Sequence, residues 1–343
     1  MTVTNSLKKG VSLLNYRLLD FLLTSGGSVG GNKVTYYAKH LTFIPTPPSV
    51  GRIFVWHCSS MLDCIETNGP CSGRRSYFCS IDAANTYYPN GVYSTSQNMI
   101  YFNSQSNQMK SLQLVHPFTK TTLASLPVSP RVGGNFVHTD TEYSASGNDD
   151  YIYFWQGDGY NKLYRYSISG DSWTEMTEQS DTSYRGFKGS AIQWLYDSDP
   201  DTIVAVLRGP SPSYDLYLFK YSISGNSWDS GTAIKWDGYY WYNTYLKWTT
   251  DGTDLYCMVP LGQTTSDGHT ARGLYGAGSL FKLDVSSAEL YHIGTIPTSY
   301  FYSMDTYIGN AIAFMKIQGL PYLYYSTGLS AKYYPFEVPL YRS

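Results

Sequence analysis

The sequence predicts an all-β fold built from repeated units, and three observations support this. The octapeptide YSISGDSW at residues 166–173 returns as YSISGNSW at residues 221–228, a shift of 55 residues with seven of eight positions identical. Aromatic side chains are abundant, with 35 Tyr, 14 Phe and 8 Trp, and such residues favour strands. Six β-rich runs recur with their first residues 47, 52, 51, 52 and 57 positions apart: Arg52, Met99, Tyr151, Thr202, Asp254 and Ala311. Self-similarity at a fixed period indicates a repeat architecture.

The elements of one unit follow from the residues around the octapeptide. The run from Tyr151 to Trp155 is aromatic and β-branched, which predicts a half-buried strand. A Gly-containing turn and a second strand follow it. Gly170-Asp171 and Gly225-Asn226 are tight-turn sequences, because Gly reaches positive φ and Asp or Asn bonds its own backbone. A Trp then opens another strand, so each unit is predicted to hold four short antiparallel strands.

The hydrophobic strand ending in Gly, as in YFWQGDG, and the later Tyr-turn-Trp element resemble the kelch-type β-propeller repeat. Tyr166, Trp173, Tyr221 and Trp228 occupy the kelch Tyr and Trp positions, which implies that they pack neighbouring blades. The resemblance implies a six-bladed kelch-like β-propeller.

The predicted domain organisation has two parts. Residues 1–32 form an apolar, helical N-terminal anchoring segment with a Gly/Ser linker, in which Val11, Leu14, Leu18 and Leu22 follow a helical period and Phe21 joins them. We expect these five residues to dock on a neighbouring subunit. Residues 33–343 form the propeller, with blades at about 33–90, 91–130, 131–182, 183–237, 238–298 and 299–343.

Composition excludes some classes of partner. The net charge is −2, only 15% of residues are charged, and no basic stripe occurs, so specific nucleic-acid binding is not expected. No run of 18 uninterrupted apolar residues occurs, which predicts no membrane span. A convincing signal peptide and an Asn-x-Ser/Thr acceptor are also missing from the sequence.

Four cysteines crowd into the first unit, and three interpretations remain open for them: buried thiols, one or two disulfides that pin the insertion at residues 59–74, or a zinc site. Their spacings match no CxxC ligand pair, so no metal is predicted. The candidate disulfide cysteines are Cys58, Cys64, Cys71 and Cys79.

No catalytic or cofactor-binding constellation is recognisable, which predicts a protein that is not an enzyme and holds no cofactor. The sequence lacks the nucleophile elbow, the phosphate-binding loop and paired metal-ligand histidines. Cys257, which has tyrosines around it, is the one candidate for a site like that of kelch-fold copper oxidases, but no histidines accompany it. Acidic groups recur at predicted hairpins, where Asp forms turns.

Clustered aromatics offer a better functional lead. Such aromatic residues either pack between neighbouring blades or form an exposed surface on which a sugar or a protein stacks. The cluster comprises Tyr239, Tyr240, Trp241 and Tyr242.

The leading functional hypothesis is a structural or interaction protein of a large assembly. A neutral, Tyr-rich surface suits subunit packing, and propeller domains occur in the nozzle proteins of short-tailed phages, which this chain resembles in architecture. The expected setting is a virion, as a phage-tail nozzle or adaptor or a capsid-associated propeller, with other subunits as partners in a homo-oligomeric ring or lattice. One alternative is a carbohydrate-binding adhesion propeller that recognises host-surface glycans. The alternative locations to a virion are the cytoplasm and an extracellular surface. Another is a propeller hydrolase or oxidase.

Overall fold

The computed structural model shows an all-β protein. It describes residues 41–44, 52–57, 61–66, 75–80, 91–94, 96–104, 107–115, 118–131, 133–139, 150–157, 159–181, 183–186, 190–210, 215–236, 246–259, 279–295, 310–317, 320–327 and 336–339. No helix occurs in these residues, and hence none that could cross a membrane. The N-terminal segment and its five docking residues lie outside the described residues.

The strands group into six antiparallel sheets, numbered here in chain order. Sheet 1 contains β1 (Leu41–Ile44), β2 (Arg52–His57), β3 (Met61–Glu66) and β4 (Arg75–Ser80). Sheet 2 contains β5 (Gly91–Ser94), β6 (Met99–Asn103), β7 (Met109–Gln113) and β8 (Lys120–Thr122). Sheet 3 contains β9 (Asn135–Thr139), β10 (Tyr151–Gly157), β11 (Tyr160–Ser167) and β12 (Ser172–Glu175).

The remaining sheets continue the pattern. Sheet 4 contains β13 (Ala191–Trp194), β14 (Thr202–Arg208), β15 (Leu216–Ser222), β16 (Ser227–Trp228) and β17 (Thr232–Ala233). Sheet 5 contains β18 (Lys247–Thr250), β19 (Leu255–Met258), β20 (Ser279–Asp284) and β21 (Glu289–Thr295). Sheet 6 contains β22 (Asn310–Ile317), β23 (Leu320–Thr327) and β24 (Phe336–Pro339).

The first strands bring the sheets together. Contacts join β1 to β5, β5 to β9, β9 to β13, β13 to β18, β18 to β22 and β22 to β1. The predicted all-β class is therefore confirmed. The six-bladed propeller and its domain limits stay predictions, with which this cyclic order agrees. Neighbouring strands in each sheet run in opposite directions. The turn between the second and third strands of a sheet therefore lies at the same end of that sheet as the start of its first strand. We call this end the upper end.

Strand β10 shows why these sequences form buried strands. Its side chains alternate between two interfaces: Ile152 and Phe154 pack against sheet 2, whereas Tyr153 and Trp155 pack against sheet 4. All four are fully buried. Aromatic and β-branched residues therefore fill both faces of the strand, which is the reason for its continuous apolar pattern.

Side chains also tie neighbouring first strands together. The Asn135 amide accepts a hydrogen bond from the Ile192 N–H at 2.9 Å and donates one to the Ile192 carbonyl at 2.8 Å. On the other side of the ring, the Thr249 hydroxyl accepts a bond from the Phe314 N–H at 2.9 Å. These bonds satisfy backbone groups that would otherwise lack partners at strand edges.

The repeated octapeptide forms a clamp on the preceding sheet. Asp171 accepts a hydrogen bond from the Ala124 N–H at 2.7 Å, and the Trp173 indole donates to the Ala124 carbonyl at 3.2 Å. One sheet later, Asn226 accepts from the Thr177 N–H at 3.0 Å and Trp228 donates to the Thr177 carbonyl at 2.8 Å. Two side chains thus hold both polar groups of one backbone residue.

Sheet 5 makes the same connection with backbone atoms alone. The Lys235 N–H donates to the Ala288 carbonyl at 2.8 Å, and the Leu290 N–H donates to the Lys235 carbonyl at 3.1 Å. Ala288 has a positive φ of 53°, close to the 42° of Asp171 and the 45° of Asn226. The three turns are therefore equivalent. In sheet 5 the connection to the preceding unit is a short parallel bridge between Lys235 and Glu289, and in the two octapeptides side chains make the corresponding hydrogen bonds.

Candidate functional site

The candidate site lies at the upper end of sheets 3 and 4 and begins with the tight turn between β10 and β11. Gly157 and Gly159 both have positive φ, at 89° and 80°, and this turn presents Tyr160 with 43% of its surface exposed. Large exposed apolar side chains are few among the described residues, and Tyr160 is one of three. The Arg131 guanidinium lies 5.5 Å from the centre of its ring, which is cation–π geometry. The arginine therefore favours one orientation of the tyrosine ring.

A pair of arginines continues the site on sheet 4. Arg185 and Arg208 form an isolated antiparallel bridge in which each backbone N–H donates to the other carbonyl, at 3.0 and 3.1 Å. Residues directly opposite each other in such a bridge project their side chains to the same side. Arg185 is exposed and Arg208 is half-buried. The two side chains consequently share one side of the bridge, the side on which Leu216, the partner of Arg208 on β15, packs against sheet 5.

Backbone contacts join the two halves of the site. The Gly159 N–H donates to the Gly186 carbonyl at 2.8 Å, and the Gly186 N–H donates to the buried Asn161 amide at 3.0 Å. A β-carbon on Gly186 would lie 2.8 Å from the Tyr160 carbonyl, so only glycine permits this approach. Arg185 is therefore fixed next to the turn that carries Tyr160. We name Arg131, Tyr160, Arg185 and Arg208 the arginine–tyrosine strip.

A buried amide lies beneath the strip. Gln156 is 6% exposed, and its side-chain oxygen has no hydrogen-bond partner among the described residues. Its backbone carbonyl accepts a bond from the Arg131 N–H at 2.8 Å, which places the two residues side by side. The equivalent residue of the next unit, 51 positions later, is the fully buried Leu207. A buried polar atom without a hydrogen-bond partner has an energetic cost, and such conflicts concentrate at functional sites.

The chemistry that this arrangement supports is binding. The guanidiniums offer planar, forked donors, and the tyrosine offers an apolar face with a hydroxyl at its edge. Within the described part of the chain, no group of three His, Cys, Asp or Glu side chains is placed to hold a metal ion.

Sequence reasoning missed the strip, although two signals for it exist. Arg131 and Arg185 lie 54 residues apart, and each precedes the first strand of its unit. Gln156 interrupts the apolar run of β10 where TIVAVLR of β14 has leucine. Comparing the units position by position would have found both.

The aromatic residues of the octapeptide lie at the interfaces between sheets. Tyr166 and Tyr221 are fully buried, and each donates its hydroxyl hydrogen bond to the turn residue five positions later, Asp171 at 2.6 Å and Asn226 at 2.7 Å. Burial raises the pKa of Tyr166, and the bond to the Asp171 carboxylate raises it further. Burial likewise raises the pKa of Tyr221. These phenols therefore stay protonated and serve packing.

The other predicted site residues are only partly covered. Cys64 and Cys79 lie on the adjacent strands β3 and β4, while Cys58 and Cys71 lie outside the described residues, so the disulfides stay a prediction. The aromatic cluster Tyr239, Tyr240, Trp241 and Tyr242 also lies outside them.

Two titratable groups, the buried Cys257 and the half-buried Lys247, lie away from the strip. Burial raises the pKa of the Cys257 thiol, which keeps it protonated and unreactive. Lys247 begins β18, and burial lowers the pKa of its ammonium group. No ion pair to Lys247 is found within the described residues.

Comparisons with known proteins bear on the fold. No protein-family model and no curated protein matches the sequence. Among solved structures, the chain is similar to an arginine-to-alanine triple mutant of AofleA from Arthrobotrys oligospora, with 10% identity and a TM-score of 0.53 over 92% of this chain and 94% of that chain. It is also similar to YjhT, with 12% identity and a TM-score of 0.45 over 69% of this chain and 70% of that chain. At such low identity the likeness to AofleA concerns the fold alone.

Proposed function

We propose that this chain is a non-enzymatic, six-bladed β-propeller that binds carbohydrate at the arginine–tyrosine strip. The observation that carries the proposal is Tyr160, an exposed ring with the Arg131 guanidinium 5.5 Å from its centre. A sugar presents an apolar face of C–H groups and a rim of hydroxyls. An aromatic ring suits the first, and forked guanidinium donors suit the second.

Preorganisation supports the same proposal. Arg131 is held through its backbone by Gln156, and the Tyr160 turn is held through the backbone by Gly186. Side chains that are already ordered lose little conformational entropy when a ligand binds, which raises affinity for small, weakly binding ligands such as sugars.

The experiment is a glycan array probed with the full chain, followed by titration calorimetry on the glycan that binds most tightly. Tyr160→Ala is expected to weaken that binding about tenfold or more. The matched control is Tyr291→Ala, because Tyr291 is 47% exposed but lies on the outer strand β21. Equal binding by the parent chain and Tyr160→Ala would refute the proposal.

Attachment to a virion or ring through Val11, Leu14, Leu18, Phe21 and Leu22 is a separate proposal. Deleting residues 1–24 and measuring incorporation into particles tests it, and normal incorporation would refute it.

A further inference from the structure

We propose that Asn161 is a positioning residue of the sugar site, because its buried amide ties the turn that carries Tyr160 to sheet 4. This inference rests on the proposed carbohydrate binding and concerns how that site is held ready for a ligand. It is carried by three hydrogen bonds of the Asn161 amide and by an irregularity in the strand pairing beside Tyr160.

The first step of the argument is the set of hydrogen bonds. Asn161 is 5% exposed, and both ends of its amide are used. The NH2 group donates to the Gln179 side-chain oxygen at 2.9 Å and to the Tyr184 carbonyl, and the amide oxygen accepts from the Gly186 N–H at 3.0 Å. All three partners lie in residues 179–181 and 183–186, which we name the strap. Any other orientation of the amide would leave buried polar groups without partners, so the bonds fix the strap against β11.

The second step is the attachment of the strap to sheet 4. The Tyr184 ring makes edge contacts with Tyr217 and Phe219 of β15, with ring centres 4.6 and 5.2 Å apart. The backbone of Arg185 pairs with that of Arg208 on β14. The strap is therefore packed on sheet 4, and the asparagine amide links it to the strand that begins with the exposed tyrosine of sheet 3.

The third step is the strand pairing, which shows why the tyrosine needs such a link. The pairing of β10 with β11 is regular as far as Trp155 opposite Leu163. The next pair is Gly157 opposite Tyr160, so two residues of β11 face one residue of β10. Bulges of this kind interrupt the hydrogen-bond ladder and re-aim side chains, and they are frequent beside functional sites. Sheet 4 pairs without a bulge here, and the residue equivalent to the asparagine, 55 positions later, is the buried Leu216.

The experiment compares glycan binding by the parent chain, Asn161→Asp and Asn161→Leu, with titration calorimetry on the glycan that binds most tightly. Asn161→Asp keeps the acceptor for the Gly186 N–H but loses both donors. Asn161→Leu copies Leu216 and removes all three bonds without burying a charge, so it remains informative if the charged variant does not fold. At about pH 8 each variant should bind about three- to tenfold more weakly, because the turn must then be ordered during binding.

A pH profile separates positioning from a general structural role. Burial raises the pKa of a carboxyl group, so the new carboxyl of Asn161→Asp should be protonated as the pH falls to about 5 and should regain one donor. Its affinity relative to the parent should therefore recover in part at low pH. The affinity of Asn161→Leu relative to the parent should stay constant.

Hydrogen exchange without any ligand provides the second readout. The Gly159 N–H donates to the Gly186 carbonyl of the strap at 2.8 Å, so its exchange should be faster in both Asn161 variants than in the parent. The matched control is Asn226→Asp, which makes the same chemical change at a position where the preceding unit has Asp171. This control should match the parent in both affinity and exchange.

The outcomes are distinguishable from failure of the proposed function. Unchanged exchange of the Gly159 N–H in both Asn161 variants would overturn this inference. Faster exchange with unchanged affinity would also overturn it and leave carbohydrate binding intact. A loss of the same size at every pH in both variants, or in Asn226→Asp as well, would show a general effect on the fold and would overturn it too. Absence of glycan binding by the parent chain would overturn the proposed function and this inference together.

Discussion

The clamp formed by the repeated octapeptide makes a sharp prediction about stability, because the chain contains two versions of it. Asp171 holds the Ala124 N–H and the Tyr166 hydroxyl, and Asn226 makes the same two kinds of bond one sheet later. Asp171→Asn should therefore be nearly neutral. Asp171→Ala should be strongly destabilising.

The magnitude for Asp171→Ala follows from three terms. Losing the exposed bond to the Ala124 N–H costs about 1 kcal/mol, and leaving the hydroxyl of the buried Tyr166 without its acceptor costs about 1–2 kcal/mol. The residue has a φ of 42°, where alanine is less favourable than aspartate by up to about 1 kcal/mol. The total is a loss of about 2–4 kcal/mol in the free energy of unfolding.

The assay is guanidinium chloride unfolding followed by tryptophan fluorescence and by circular dichroism on the parent, Asp171→Asn and Asp171→Ala. Coincident transitions would show that one unfolding step is being measured. If Asp171→Ala unfolds within 0.5 kcal/mol of the parent, on the order of an ordinary surface substitution, the clamp contributes nothing. If Asp171→Asn is as damaging as alanine, the equivalence of the two turns is wrong.

The remaining predictions concern buried groups. Gln156→Leu copies Leu207 of the next unit, so it should raise the free energy of unfolding by about 1 kcal/mol, as chemical unfolding would show. Lys247→Met should also stabilise the fold, because burial lowers the lysine pKa and the folded state binds that proton less tightly than the unfolded state. The gain should be complete at pH values below the lowered pKa of Lys247 in the folded state and shrink as pH rises from there towards the ordinary lysine pKa, which melting curves at several pH values would show. Cys257 should resist a thiol-specific reagent in the native state and react after unfolding, and rapid native labelling would contradict its burial.

The sequence predicted what depends on local chemistry. The turn at Gly170 and Asp171 was recognisable because the residues that reach positive φ or bond their own backbone are few. The strand at Tyr151 was recognisable because aromatic and β-branched residues crowd into it. Both features are properties of a short stretch of chain.

What the sequence did not predict depends on contacts between sheets. Asp171 and Trp173 reach Ala124 across 47 and 49 residues, and only the packing of sheet 3 on sheet 2 brings them together. The strip likewise forms because Gly186 allows sheet 4 to approach the Tyr160 turn. No single stretch contains the two partners of either contact, so local pattern alone could not reveal them.

The most direct test of carbohydrate binding at the strip is a crystal structure of the chain with its best glycan from the array. Our account predicts a sugar ring in contact with Tyr160, with a hydroxyl within hydrogen-bond distance of the Arg131 guanidinium. A sugar bound elsewhere, with Tyr160 still exposed to solvent, would contradict it.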